Sequence, residues 1–370
     1  MSLTVCKFGG SSLANADMFV RVNRILRSDP ARRYIVVSAP GVRFPGDEKI
    51  TDLLYRAHRA SHAEDHSILA QIFERYAEIR DALAPNFDLE GEFARACSEL
   101  WRTSDYAASR GEYLCAKLFA ACAQMPFVDA AELLFFNSGG KIDMEATARA
   151  VRQKLLPLGH AVVPGFYGSS PECGVRTFTR GGSDVSGALL AAALGADLYE
   201  NWTDVDGLFT ADPALVSRPE RSLTVGLEQM ERIAAAGAKL IHPEALRPLR
   251  GTGIDTLLKN TFDPEARGTR VSETCDAPVR CVTGKPRVYM TGDPASGGDI
   301  ALHELPRQDS VRVAVVSAFG LSDSQIRRAA REIQPIHIIH MRDHIQIILP
   351  ESEYANTIRA VHAILMENCT

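Results

Sequence analysis

From Leu3 to Phe8 the chain is apolar and β-leaning, and Gly9-Gly10-Ser11-Ser12 breaks the run. Ala14 to Leu26 carries its apolar residues at helical spacing and Tyr34 to Ser38 is rich in β-branched residues, so the opening predicts strand, loop, helix, strand. Such a βαβ unit sets its strands parallel and predicts an α/β fold. Residues 61–125 repeat apolar positions such as Ile68, Ile72, Tyr76 and Ile79 with few strand signals, which predicts a mostly helical insertion beside the sheet, walling a pocket. Strands are expected again over Ala161 to Tyr167 and Leu198 to Thr203, and helices over Asp184 to Leu194, closed by Gly195, and Leu227 to Ala236.

The texture changes near residue 265, where Arg267-Gly268-Thr269 and Asp293 to Gly298 are loop-rich. Beyond them Val311 to Ser317 reads as a strand, Ser324 to Ile333 as a helix, Ile336 to His340 and His344 to Leu349 as strands, and Tyr354 to Met366 as a helix. This βαββα order suits a small α+β module with helices on one face of an antiparallel sheet. Two domains are therefore expected, 1–265 and 266–370. The length of 370 residues agrees, because one hydrophobic core rarely grows past roughly 250 to 300 residues.

Composition narrows the function. A hydrophobic share of 46 %, a charged share of 24 % and a net charge of -5 give no basic excess to attract nucleic acid or anionic lipid, so any phosphate site must be local. The apolar stretch Ala188 to Ala196 contains a glycine and is far short of the roughly 20 residues of a membrane span. The N-terminus has no secretory pattern. Eight cysteines, at 6, 97, 115, 122, 173, 275, 281 and 369, form no CxxC pair and no zinc-type spacing with histidine, which predicts reduced thiols in a cytoplasm and no protein metal site.

Four glycine-bearing clusters carry candidate chemistry. Lys7-Phe8-Gly9-Gly10-Ser11-Ser12 places an ammonium at a strand end and bare backbone N–H groups where a helix is expected to begin, a combination that traps anions; two glycines after a strand are also an ordinary loop. In Arg180-Gly181-Gly182-Ser183-Asp184, Ser183 suits an N-cap and Asp184 a helix first turn. Capping leaves Arg180 unexplained, whereas a guanidinium fork matches a carboxylate or phosphate. Thr203-Asp204-Val205-Asp206-Gly207 follows a strand at the end where open α/β sheets bind ligands, or is simply an Asp- and Gly-rich turn. Gly237-Ala238-Lys239 ends a helix with a cation that could serve a ligand or the helix dipole. No Walker A loop occurs, and the first strand lacks the G-x-G-x-x-G of a dinucleotide fold.

Taken together, Lys7-Phe8-Gly9-Gly10-Ser11-Ser12, Arg180-Gly181-Gly182-Ser183-Asp184, Trp202-Thr203-Asp204-Val205-Asp206-Gly207 and Gly237-Ala238-Lys239-Leu240-Ile241-His242-Pro243 resemble the aspartate kinases in order and approximate spacing, over about residues 3–265. The tail looks like that family's ACT-type regulatory region. The resemblance implies the amino-acid kinase αβα sandwich around a mainly parallel sheet, and transfer of the ATP γ-phosphoryl, with Mg2+, to the side-chain carboxylate of L-aspartate, opening aspartate-family (lysine) biosynthesis. By resemblance, Lys7 neutralises the phosphoryl in flight, Gly9, Gly10 and Ser11 hold its oxygens, and Asp184 organises the lysine and metal-bound water. Thr203, Asp204, Phe209 and Lys239 match nucleotide-pocket positions. Arg180, with Gly181, Gly182 and Ser183, matches the clamp on the substrate α-carboxylate, Glu112 the receiver of the substrate amino group, and Ser38 and Thr51 the other polar contacts.

Three positions depart from the family. Asp212-Pro213-Ala214 stands where the family often has Asp-Pro-Arg, so a phosphate contact is missing or supplied by another residue such as Arg218; Phe209 replaces a common tyrosine. The first of the usual two ACT modules is reduced to a stub beginning at Pro286 to Thr291. A homodimer through the remaining module, with weak or absent lysine inhibition, is the expectation. A kinase for a related amino-acid carboxylate and a catalytically silent amino-acid sensor are the alternatives. The charged, Pro/Gly-containing segment Gly41 to Lys49 is either a substrate lid or a surface loop.

Overall fold

The computed structural model describes residues 2–60, 67–179, 181–292, 300–307 and 310–367. Through the first half run β1 (Thr4–Phe8), α1 (Ala16–Arg27), β2 (Arg32–Val37), α2 (Ile50–Arg59), α3 (Ser67–Leu83), α4 (Leu89–Cys97), α5 (Ser104–Ala123), α6 (Met144–Leu155), β3 (Ala161–Pro164), β4 (Tyr167–Ser170) and β5 (Gly174–Thr177). Then come α7 (Gly182–Leu194), β6 (Leu198–Thr203), β7 (Thr224–Gly226), α8 (Leu227–Ala235), β8 (Asp255–Asn260), β9 (Thr269–Ser272), β10 (Cys281–Thr291), β11 (Ala301–His303), β12 (Val311–Phe319), α9 (Asp323–Ile333), β13 (His337–His340), β14 (His344–Leu349) and α10 (Tyr354–Met366). Two compact units result, one comprising the chain to Asp206 with Ile241–Glu273, the other Gly207–Leu240 with the chain from Thr274 onward. Both are discontinuous, whereas the sequence suggests one boundary at 265.

In the first unit the strands lie in the order β3-β2-β1-β6-β8-β9. Pairing is parallel from β3 to β8, and β9 runs antiparallel to β8. The molecule is a mixed α/β protein with a mainly parallel sheet, as the βαβ pattern predicts. Every residue of β1 is buried, which accounts for its near-continuous apolar character. Because β1 pairs with β2 on one side and β6 on the other, the strand order reverses there, and the carboxyl ends at such a switch point are where open α/β sheets take ligands. Phe8, Phe19, Ile35, Val37, Tyr76, Leu114, Phe119 and Trp202 belong to one apolar core joining sheet and helices. Among the helices against it is α5, capped by Thr103, whose side chain accepts from the Tyr106 N–H.

Several expectations shift. Past Gly9-Gly10 there is only a short 3-10 turn, Gly10–Leu13, and α1 begins later, capped by the Asn15 side chain on the Met18 N–H. No long helix therefore stands behind the glycine pair, and the Gly9 N–H is already engaged by Trp202 O. The run 161–167 is two strands, interrupted at Phe166 (φ 77°). Helix α7 begins at Gly182 with Gly181 at its N-cap, so Ser183 is not the cap; Asp184 does lie in the first turn.

In the second unit an antiparallel sheet has the order β11-β10-β12-β14-β13. Val316, Ile347, Ile358 and Val361 form its core with Ala211 from the earlier segment. Strand β10 is longer than the Pro286 to Thr291 expected, with an irregular register between Lys285 and Val288, as a proline without an N–H requires. Residues 293–298, expected as loop, lie outside the described residues, as does the start of the 61–125 insertion.

Candidate active site

The first unit brings Lys7 and Asp184 together. Lys7, one residue before the end of β1, sends its Nζ to 2.5 Å from Asp184 Oδ1, both side chains being about nine-tenths buried. Asp184 is held from three further directions. The Asn201 amide donates to Oδ1 (3.1 Å), the His242 N–H donates to Oδ2 (3.0 Å), and the Tyr199 hydroxyl donates to its main-chain oxygen (3.0 Å). Burial pushes the Asp184 carboxyl up, but the Lys7 charge and the hydrogen bonds from Lys7, His242 and Asn201 outweigh it and hold the group below the usual carboxylate range. Position 181 must be glycine: its φ is 59°, and a Cβ there would sit 2.1 Å from the His242 Cβ.

The neighbouring strand ends converge on this pair. The Gly9 N–H donates to Trp202 O and the Gly41 N–H to Gly10 O, while Lys7 Nζ lies beneath Gly9. Ser38 follows β2, its N–H donating to Phe8 O. Ser183, at the start of α7 beside Gly182, packs against Gly165, whose N–H donates to Val37 O. Ser11 is half-buried in the short turn after the glycines.

Glu112 enters from α5. A Cβ on Gly111 would lie 2.9 Å from Ala39 Cβ and 3.2 Å from Ile50 Cγ2, so this glycine lets α5 approach the end of β2 and the start of α2, where Thr51 occupies the first turn. Glu112 is fully buried. Burial pushes its carboxyl up to about 8, against the lowering effects of the Ala39 N–H, its own N–H and Arg110. Its Oε2 has no hydrogen-bond partner among the described residues, a costly state for a carboxylate unless a ligand completes it.

Beyond β6, the Thr203 hydroxyl donates to exposed Asp204, and Thr203 O accepts from the Thr261 N–H. Thr261 is tied to Ser12 (Oγ to Oγ1, 2.7 Å), and Asn260 donates to Asp206. Phe209 and Lys239 belong to the second unit. Phe209 forms a bridge with Arg221, whose guanidinium stands 5.3 Å over its ring; Lys239 is exposed beyond Gly237. Ala214 donates its N–H to Asp212, and Arg218 is exposed with φ 58°. Arg180 lies outside the described residues. The segment 41–49 is fastened to the insertion: Arg43 and Arg75 both pair with Asp47, and Arg75 donates to the Glu48 and Gly41 carbonyls.

Sequence reasoning missed Asn201 and the His242 N–H. Asn201 left a signal, a polar residue inside a strand expected to be buried. The other such residue, Glu200, satisfies Arg32, Trp202 and Cys6. A backbone N–H leaves no comparable mark.

The amino acid kinase family model matches residues 2–260. The chain belongs to the amino acid kinase family. This family member is 36 % identical to aspartokinase 3 of Bacillus subtilis over 293 residues, 73 % of this chain and 63 % of that protein. It is 29 % identical to the lysine-sensitive aspartokinase 3 of Escherichia coli, over 75 % of this chain and 65 % of the relative. The matched region thus spans less than two thirds of these curated relatives. Among solved structures, the aspartate kinase of Clostridium acetobutylicum is similar over the whole of both chains, with TM-score 0.79 and 27 % identity. An E. coli aspartokinase III structure with aspartate and ADP has TM-score 0.83 at 22 % identity and shares the fold. The second unit's antiparallel sheet is consistent with an ACT-like domain. Among the described residues no helix is long and apolar enough to cross a membrane.

Proposed function

We propose that this chain phosphorylates the side-chain carboxylate of L-aspartate with ATP, giving 4-phospho-L-aspartate and ADP. The observation that carries the reading is Glu112, a fully buried carboxyl with one unpartnered oxygen, beside the strand ends that hold Lys7. Such a group suits the free ammonium of an amino acid and disfavours an N-acylated substrate, whose amide carries no charge. The names of the relatives and the bound aspartate and ADP of the E. coli structure support the same choice.

A carboxylate of ordinary pKa near 4 is already ionised at neutral pH, so the nucleophile needs no general base. Its oxygen attacks the γ-phosphorus, the bond from phosphorus to the β,γ-bridging oxygen breaks, and ADP departs with the electron pair. The barrier is the approach of like charges, so positioning and preorganised cations supply the catalysis. Lys7 neutralises the moving phosphoryl and Asp184 fixes Lys7; with the Gly9 N–H held by Trp202 O, the backbone of Gly10 and Ser11 holds the phosphoryl oxygens. Glu112 receives the ammonium, with Ser38, Thr51, Gly181, Gly182, Ser183 and Arg180 as the further substrate contacts, and Thr203 and Asp204 serve the nucleotide. Among the described residues no three His, Cys, Asp or Glu side chains cluster to hold a metal ion. Magnesium would arrive on the nucleotide phosphates and supply charge neutralisation there, with few protein ligands.

Hydroxylamine traps an acyl phosphate as a hydroxamate. With ATP and magnesium, hydroxamate should form with L-aspartate but not with L-glutamate or N-acetylglutamate, and should vanish in Lys7→Ala. Tight aspartate binding without turnover would instead establish a sensor.

A further inference from the structure

Lys7 has two demands on it: it balances Asp184 at rest, and under the reading above it must also serve the moving phosphoryl. An ammonium that turns toward phosphate weakens its hold on a carboxylate that is itself buried, and an uncompensated buried charge would draw the lysine back or take up a proton. Asn201 is placed to relieve that conflict. It faces Lys7 across the β1–β6 pairing, so both side chains leave the sheet on one face. Its Nδ2 donates to Asp184 Oδ1, the oxygen that holds Lys7, and lies 3.4 Å from the Tyr199 hydroxyl. The orientation of the amide is fixed chemically, because an ionised carboxylate only accepts and a flipped amide would set oxygen against oxygen. Its Oδ1 is buried without a partner among the described residues.

We infer that Asn201 is a positioning residue, which keeps Asp184 Oδ1 hydrogen-bonded when the Lys7 ammonium turns from it to the transferring phosphoryl. The inference rests on the kinase reading for its purpose and on geometry alone for the contact. Facing Asp184 are Lys7 from β1, Asn201 and Tyr199 from β6, and His242 through its N–H; of the ionisable side chains among these, Lys7 makes the ion pair.

The test compares wild type with Asn201→Leu, which keeps the shape and loses the amide, Asn201→Ser as a smaller replacement, and Tyr199→Phe, which removes a buried hydroxyl without touching the carboxylate. For both Asn201 variants kcat should fall about tenfold with KM for ATP and aspartate within about twofold. The acid limb of the kcat profile should move up by about one pH unit, because Asp184 has lost a donor to its charged form. Tyr199→Phe should leave that limb in place. In parallel, the Asp184 carboxyl is titrated by carbon-13 NMR without substrate, its resonance assigned by loss in Asp184→Asn. An upward move in Asn201→Leu is expected even if aspartate proves not to be the substrate. An unmoved carboxyl titration, or an unchanged kcat in both folded Asn201 variants of an active enzyme, would overturn the inference.

Discussion

At the scale of single residues the site is governed by how much charge it keeps out of water. Removing one partner of a buried ion pair strands the other, at about 3–5 kcal/mol. Lys7→Ala should therefore lower thermal stability as well as abolish turnover, whereas Lys7→Ala combined with Asp184→Asn should recover much of the stability and none of the activity; differential scanning calorimetry beside the hydroxamate assay separates the two. Glu112 gives a pH prediction of definite sign. With its carboxyl at about 8 in the free protein, it is mostly protonated at pH 7, and binding an ammonium must expel that proton. KM for aspartate should consequently fall as pH rises from 6 toward 8, by up to about tenfold per unit, and level off above. Glu112→Gln should raise KM about a hundredfold and flatten that dependence, read from initial rates across the range. In the free protein Glu112 also opposes folding as pH rises between its unfolded and folded values, because the folded state holds the proton longer. Lys7 and Asp184 were legible from their motifs. The burial of Glu112 was not, because it depends on α5 reaching Ala39, a contact far apart in sequence.

At the scale of elements, glycines decide how closely the pieces approach. Gly181→Ala should destabilise by about 2–4 kcal/mol, combining a left-handed backbone with a collision against His242, and urea unfolding of the two proteins would measure it. Arg75, buried between Asp47 and the carbonyls of Gly41 and Glu48, fastens the segment that sequence left open between lid and surface loop. Arg75→Met should expose 41–49 to limited proteolysis while the rest of the chain resists. Elements with unbroken periodicity, among them β6, β14 and α10, were legible nearly to their ends. The 3-10 turn after Gly9-Gly10 was not, since four residues carry no period, and the α7 boundary moved because a glycine in positive φ, rather than the serine, takes the cap. The 161–167 run hid a break that only the backbone at Phe166 reveals.

For the whole molecule, the α/β class and the small antiparallel C-terminal module were legible, while the interleaving of the units was not, because a hydrophobic pattern records what is buried and not against which part. On the proposal that the first ACT module is reduced, we predict a homodimer by light scattering and little inhibition by lysine at fixed aspartate; strong micromolar inhibition would defeat this. The interleaving has a further consequence. Within the second unit, Thr210 hydrogen-bonds His362 of α10, its carbonyl accepts from the Val282 N–H, and Ala211 sits in the core of the antiparallel sheet. The stretch that carries Phe209 and Lys239 is thus built into the module that sequence alone would treat as a detachable appendage. Deleting residues beyond 273 would not yield an unregulated minimal enzyme; it would leave Phe209, Thr210 and Ala211 without the scaffold that folds them, and evolution can trim this tail only as far as that scaffold allows.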